Sequence, residues 1–155
     1  MAIRKSAGIL LYKRAVDGIS VLLVHPGGPF WARRDLGAWS IPKGEYSDDE
    51  QPEAAARREF AEELGQDFPG ALQPLGEVRQ KGGKRVVGFA AEGDFEVTAI
   101  RSNTFEMEWP PRSGRKQSFP EIDRAAWFDF EIAREKMIDG QRPFLERLAA
   151  LLNPA

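Results

Sequence analysis

The segment Gly44 to Gln66, GEYSDDEQPEAAARREFAEELGQ, limits what this chain can become more than any other stretch, because it encodes one helix with two incompatible faces. Ala54, Ala55, Ala56, Arg57 and Arg58 are good helix formers, Pro52 suits a first helical position and Gly65 suits a left-handed stop. A helix is therefore predicted over Glu53 to Leu64. At about 100° per residue, Ala56, Phe60, Ala61 and Leu64 fall on one side and Glu59, Glu62 and Glu63 on the other. The apolar side needs a partner layer. The acidic side carries carboxylates at i, i+3 and i+4, whose repulsion costs roughly 0.2–0.5 kcal/mol per pair unless a cation lies among them. An acidic face is usually plain solvated surface, so the three glutamates alone leave both readings open. If they do bind an ion, oxygen donors without histidine or cysteine suit magnesium or manganese better than zinc.

The rest of the chain sets the context. At 155 residues it is expected to form one compact domain over residues 1–155. Its 42% hydrophobic and 30% charged residues, with both signs mixed, are unlike a disordered or fibrous chain. A formal net charge of −2 offers no general attraction for nucleic acid or an anionic membrane, so neither is expected as a primary partner. An anionic ligand must be gripped locally. The absence of cysteine excludes thiolate chemistry and fits a reducing cytoplasm. No run approaches the roughly 20 apolar residues that span a bilayer, and Ala7 to Tyr12 is too short for a signal-peptide core.

Apolar runs at Ala7 to Tyr12 and Ile19 to Val24 flank Asp17-Gly18 and predict a hairpin. His25 to Ser40, with Pro26, Gly27, Gly28, Pro29 and Gly37, predicts a long loop of the kind that borders a site. Leu75 to Gln80 and Arg85 to Ala90 flank Gly82-Gly83 and predict a second hairpin. Asn103 to Gln117 has no clean period, Ala125 to Phe130 reads as a short strand, and Pro143 to Leu152 as an amphipathic helix.

Gly44, Glu50, Arg58, Glu59, Phe60, Glu62, Glu63 and Gly65 stand at the positions of the Nudix box, and the segment resembles that motif throughout except at Gln66, where an aliphatic residue is usual. The order of hairpin, loop, acidic helix, strands and terminal helix is similar to the Nudix fold. The resemblance implies an α+β chain arranged as an α/β/α sandwich around a mixed β-sheet. It implies a hydrolase that uses Mg2+ or Mn2+ to cleave a diphosphate linkage in a small nucleotide-like substrate. Glu59, Glu62 and Glu63 would be the metal ligands, with Glu59 and Glu62 catalytic and Arg58 holding a glutamate in position. A base would come from this set or from a later carboxylate such as Glu106 or Glu121. Trp39-Ser40-Ile41-Pro42-Lys43-Gly44 also resembles the approach to the box in Nudix enzymes acting on diadenosine or diphosphoinositol polyphosphates. Lys43, Gly44 and Trp39 are therefore the expected substrate-side residues, and a dinucleoside polyphosphate or nucleoside triphosphate the expected substrate.

Outside the box the expectations are plainer. Glu50 is divided between a first-turn helix charge and an outer metal role. Trp31, Trp39 and Trp109 are more often core residues than base-stacking ones. The basic groups Arg79 to Arg85 and Arg112 to Lys116 read as solvated turns, and His25 as a strand-end residue without an evident acid partner. A catalytically silent Nudix-fold module that senses nucleotides or binds protein is the rival reading; such modules can lose box carboxylates, and all are present here.

Overall fold

The computed structural model describes residues 4–153, so the extreme ends of the expected 1–155 span lie outside the described residues. The chain opens with two strands, β1 (Lys5–Ala15) and β2 (Gly18–Pro26), joined through the two residues Val16 and Asp17. The short β3 (Lys43–Glu45) follows the long loop and leads into α1 (Pro52–Leu64). Strands β4 (Gln73–Arg79) and β5 (Arg85–Glu92) form the second expected hairpin. After β6 (Thr104–Glu108), β7 (Lys116–Pro120) and β8 (Ile122–Asp129) come α2 (Phe130–Lys136) and α3 (Pro143–Leu152).

The main sheet has the order β4-β5-β1-β2-β8, with β3 attached to β1. It is mixed: β1 runs parallel to β5, from Lys5↔Arg85 to Tyr12↔Glu92, while its other neighbours are antiparallel. The strand period of two explains the layers. Ala7, Ile9 and Leu11 of β1 pack in one apolar cluster with Ala56, Phe60 and Leu64 of α1. Leu10 and Tyr12 pack in the other, with Ala133 of α2 and Phe144, Leu145 and Leu148 of α3. Helices thus cover both faces, as the α/β/α expectation required.

One edge of β1 is shared. Its second half pairs with β2 over Tyr12 to Ala15, and its first half pairs with β3 over Ser6 to Gly8. Between these two partners the sheet forks, and residues 40–42 fill the gap: Ile9 N donates to Pro42 O at 3.2 Å, while Val24 and Ser40 exchange backbone bonds at 2.8 and 3.0 Å. The fork delivers Lys43 and Gly44 alongside Glu63 and Glu59, in the second half of α1.

Several expectations need correction. Asn103 to Gln117 contains β6 and the start of β7, a two-stranded ribbon separate from the main sheet. In β6 the half-buried Phe105 and Met107 do alternate with exposed Thr104, Glu106 and Glu108, but the run is only five residues and β7 half-buries Phe119 alone, so the period is short and weak. The expected strand ending at Phe130 stops at Asp129, whose carboxylate accepts from Ile132 N at 2.8 Å and caps the unforeseen two-turn α2. In α1, Ala55 is fully buried whereas Ala61, expected on the apolar side, is only half-buried. Among the described residues no helix is long and apolar enough to cross a membrane.

Candidate active site

Helix α1 begins at Pro52 and ends at Gly65, whose φ of 81° is open to glycine and whose N–H donates to Ala61 O at 2.8 Å. With Phe60 and Leu64 fixed in the core, the opposite side presents Glu59, Glu62 and Glu63 to a cavity of about 410 Å³. Glu45, Glu121, Lys43, Lys84 and Asn103 also line it.

Arg58 organises the near wall. Its Nε and Nη2 donate to the two carboxylate oxygens of Glu50 at 2.9 Å each, a bidentate fork. Its Nη1 donates to Glu59 Oε1 at 2.6 Å and lies 3.4 Å from both oxygens of Glu62. The fork with Arg58 holds the Glu50 carboxyl below the usual carboxylate range. Glu50 therefore anchors Arg58 and lies outside the cavity wall. This pairing is a third role beside the two its sequence position suggested.

The deeper carboxylates behave differently. Burial pushes Glu63 up to about 8 against the pull of the Lys43 cation, and the Lys43 backbone N–H donates to its Oε1 at 3.2 Å. Burial also raises Glu59, opposed by its hydrogen bond with Arg58. Lys43 is lowered, first by burial and then by the charge of Lys84. The cavity is thus crowded with ionisable groups of both signs, the deepest of them, Lys43 and Glu63, drawn away from water.

Among the described residues, no three carboxylates are gathered closely enough to ligate one ion as they stand. Arg58 and the Lys43 amide hold the glutamates instead. The donor set nevertheless fits a hard divalent cation: it is all oxygen, and burial disfavours the charge on Glu59 and Glu63 that a cation would offset.

A second, more apolar cleft of about 220 Å³ shares Lys43, Glu63 and Glu121 with the first, and adds Val24, Trp31 and Ile138. Trp39 lines neither. It is buried in the fold, with its ring 5.0 Å from Phe128 and 5.1 Å from His25, and its Nε1 donates to Asp35 at 2.8 Å. Trp109 packs edge-on against Phe30 at 5.5 Å. Of the two later carboxylates, Glu121 reaches the cavity and Glu106, exposed on β6, does not.

The model of the NUDIX domain matches residues 2–148. This chain belongs to the Nudix family. A sequence relative, the RNA pyrophosphohydrolase of Marinomonas sp. (strain MWYL1), is 40% identical over 60 residues, a match spanning 38% of this chain and 37% of that protein. Among solved structures, the C. elegans Ap4A hydrolase binary complex superposes with a TM-score of 0.66 at 20% identity, covering 95% of this chain and 97% of that one. The NUDIX domain of Shewanella oneidensis NrtR complexed with ADP ribose gives 0.66 at 17% identity, covering 99% and 90%. At such identities these structures establish a shared Nudix fold.

Two cavity residues, Lys84 and Asn103, had no sequence signal, and Glu121 stood in the sequence only as one of two later carboxylates. Lys84, read as solvated with its neighbours, is half-buried at the cavity because β5 starts beside the first residues of β1. Asn103 and Glu121 arrive because Asn103 N donates to Glu62 O at 3.3 Å and Glu121 N to Asn103 O at 2.8 Å. Both links are tertiary and leave no local pattern. His25 also needs correction: it does have an acid partner, Asp123, with Nδ1 2.8 Å from Oδ1, and its Nε2 is 2.6 Å from the Arg34 carbonyl.

Proposed function

We propose that this chain is a metal-dependent Nudix pyrophosphohydrolase that cleaves a diphosphate linkage in a nucleoside diphosphate joined to a further group. The reading rests on the convergence of five carboxylates and two lysines in one cavity that shares Lys43, Glu63 and Glu121 with an apolar cleft. Phosphates and a nucleoside need neighbouring surfaces of these two kinds.

Glu59, Glu62 and Glu63 would hold Mg2+ or Mn2+, which when bound would supply neutralising charge for phosphate oxygens and a more acidic water. Lys43 and Lys84 grip the phosphates, and Gly44 leaves room for Glu59 at the cavity wall. Arg58, fixed by Glu50, keeps Glu59 and Glu62 turned toward the substrate. A carboxylate, for which Glu121 is the best placed of the later candidates, takes the proton from water. Water oxygen bonds to phosphorus as the bridging oxygen departs, giving two phosphate-bearing products. Trp31, in the apolar cleft, packs against the nucleoside, a role for which Trp39 is too enclosed.

The substrate is a dinucleoside polyphosphate or a nucleoside triphosphate, since two lysines beside the glutamates suit a long phosphate chain. The test is release of phosphate-bearing products from a substrate panel, with and without magnesium. Glu62→Gln keeps size while removing a charge, so a loss of about 10²-fold or more in kcat is expected with the fold intact. Undiminished turnover in that variant, or in excess chelator, refutes the reading.

A further inference from the structure

A third cavity, of about 490 Å³, shares no lining residue with the two of the candidate active site. Arg33, Arg34, Arg124 and Lys136 line it against a single carboxylate, Asp35, with Trp39 and Phe128 as aromatic wall. In a chain whose formal net charge is −2, four cations around one hollow run against the overall balance. Like charges gathered this way repel one another, and an anion among them removes that cost.

The hollow is built on fastened segments. Lys136 pairs with Asp35, which also accepts from Trp39 Nε1 at 2.8 Å. Gly37 N donates to Glu135 O at 3.0 Å, and Trp39 N to Lys136 O at 2.9 Å, so the loop carrying the arginines is stitched to the end of α2. His25, fully buried, bridges the remaining gap: it meets the Arg34 carbonyl at 2.6 Å and Asp123, the neighbour of Arg124, at 2.8 Å. The backbones that carry Arg33, Arg34 and Arg124 therefore stand at a set separation before any ligand arrives.

Asp35 already occupies Lys136, whereas the Arg124 guanidinium lies 5.3 Å from the Trp39 ring centre and only 3.6 Å from the partly exposed Asp123. Among the described residues, Arg33 and Arg34 have no ion-pair partner within 4.0 Å. With Lys136 taken by Asp35 and Arg124 beside Asp123, the guanidinium forks of Arg33 and Arg34 are left over at the hollow, and the four cations together match an anion with several charges and many acceptor oxygens. We propose that this basic cavity binds a phosphorylated anion carrying a diphosphate or longer phosphate chain, at a place apart from the carboxylates of α1. The ligand chemistry is that of inorganic pyrophosphate or of a nucleoside diphosphate.

Calorimetric titration of each of these two probes at low salt, into protein freed of divalent cations by dialysis, tests the assignment. Saturable binding is expected for wild type, with Kd weakened about 10- to 100-fold in the exposed double variant Arg33→Ala/Arg124→Ala, since charge-assisted bonds are lost. Arg14→Ala, on a distant exposed strand end, should keep wild-type affinity. Tighter binding of the nucleoside diphosphate assigns the nucleotide as ligand, and equal binding assigns the bare phosphate chain. Absence of saturable binding overturns the proposal. So does binding that survives in Arg33→Ala/Arg124→Ala and disappears in Lys43→Ala.

Discussion

Gly44→Ala probes the cavity with one methyl group. Gly44 pairs with Ala7 in the β1–β3 ladder and has no positive φ, so an alanine backbone is accommodated there. What a Cβ meets is the Glu59 carboxylate, at 1.9 Å from Oε2 and 2.0 Å from the carboxyl carbon. Restoring an ordinary contact of about 3.4 Å requires Glu59 to retreat by roughly 1.5 Å, and the far end of a flexible side chain can do so. Stability should change by no more than about 1–2 kcal/mol, because the clash is relieved by rotation and alanine loses less unfolded-state freedom than glycine. Catalysis should suffer far more, since displacing a reacting-site group by about 1 Å costs on the order of 10²-fold. The assays are kcat/KM at saturating magnesium, Mn2+ affinity by titration, and urea unfolding of Gly44→Ala, Glu59→Ala and the double variant. A coupling near zero in the unfolding cycle, with wild-type turnover in Gly44→Ala, would show that Glu59 does not need the space above Gly44.

Lys43→Ala and Lys84→Ala should each lower kcat/KM for a dinucleoside polyphosphate about tenfold more than for a nucleotide sugar, compared at fixed salt and magnesium; equal losses would assign both lysines to structure. Arg58→Lys keeps the charge but loses the fork that joins Glu50 to Glu59, so activity should fall about 10²-fold with the metal still bound, and wild-type kcat would remove Arg58 from the positioning role. His25→Ala opens a buried hole and removes the partner of the Arg34 carbonyl, while Asp123 keeps Arg124 and solvent, so urea unfolding should show a loss of about 2–4 kcal/mol; a loss below about 1 kcal/mol would mean that His25 does not fasten the loop.

Sequence periodicity recovered the elements that a single local pattern defines. The helix over Pro52 to Leu64 carries its own start, stop and apolar stripe, and Pro143 to Leu152 does likewise. The ribbon of β6 and β7 escaped because its alternation is confined to Thr104 to Glu108 and only half-buries the side chains involved. The cavity divides in the same way. Glu59, Glu62 and Glu63 lie within five residues and could be read as one acidic face. Lys84 and Asn103 meet them only through strand pairing and backbone bonds across more than twenty residues, for which a lone lysine or asparagine gives no signal, while Glu121 was legible only as one of two later carboxylates. The partnership of His25 with Asp123 spans 98 positions and was equally silent.

The parallel pairing of β1 with β5 has a consequence for how the protein is made. Lys5 and Arg85 must meet before the central strand has its second neighbour, and β3 and α1 lie entirely within the excursion between them. Closing so long an excursion costs entropy that local helix formation cannot repay, which places the chain among slower, high-contact-order folders. A nascent chain that has emerged from the ribosome only as far as Lys84 already contains Glu59, Glu62, Glu63 and both cavity lysines, yet lacks the strand that completes the sheet beside them. Its chemistry is written early in synthesis and becomes usable late.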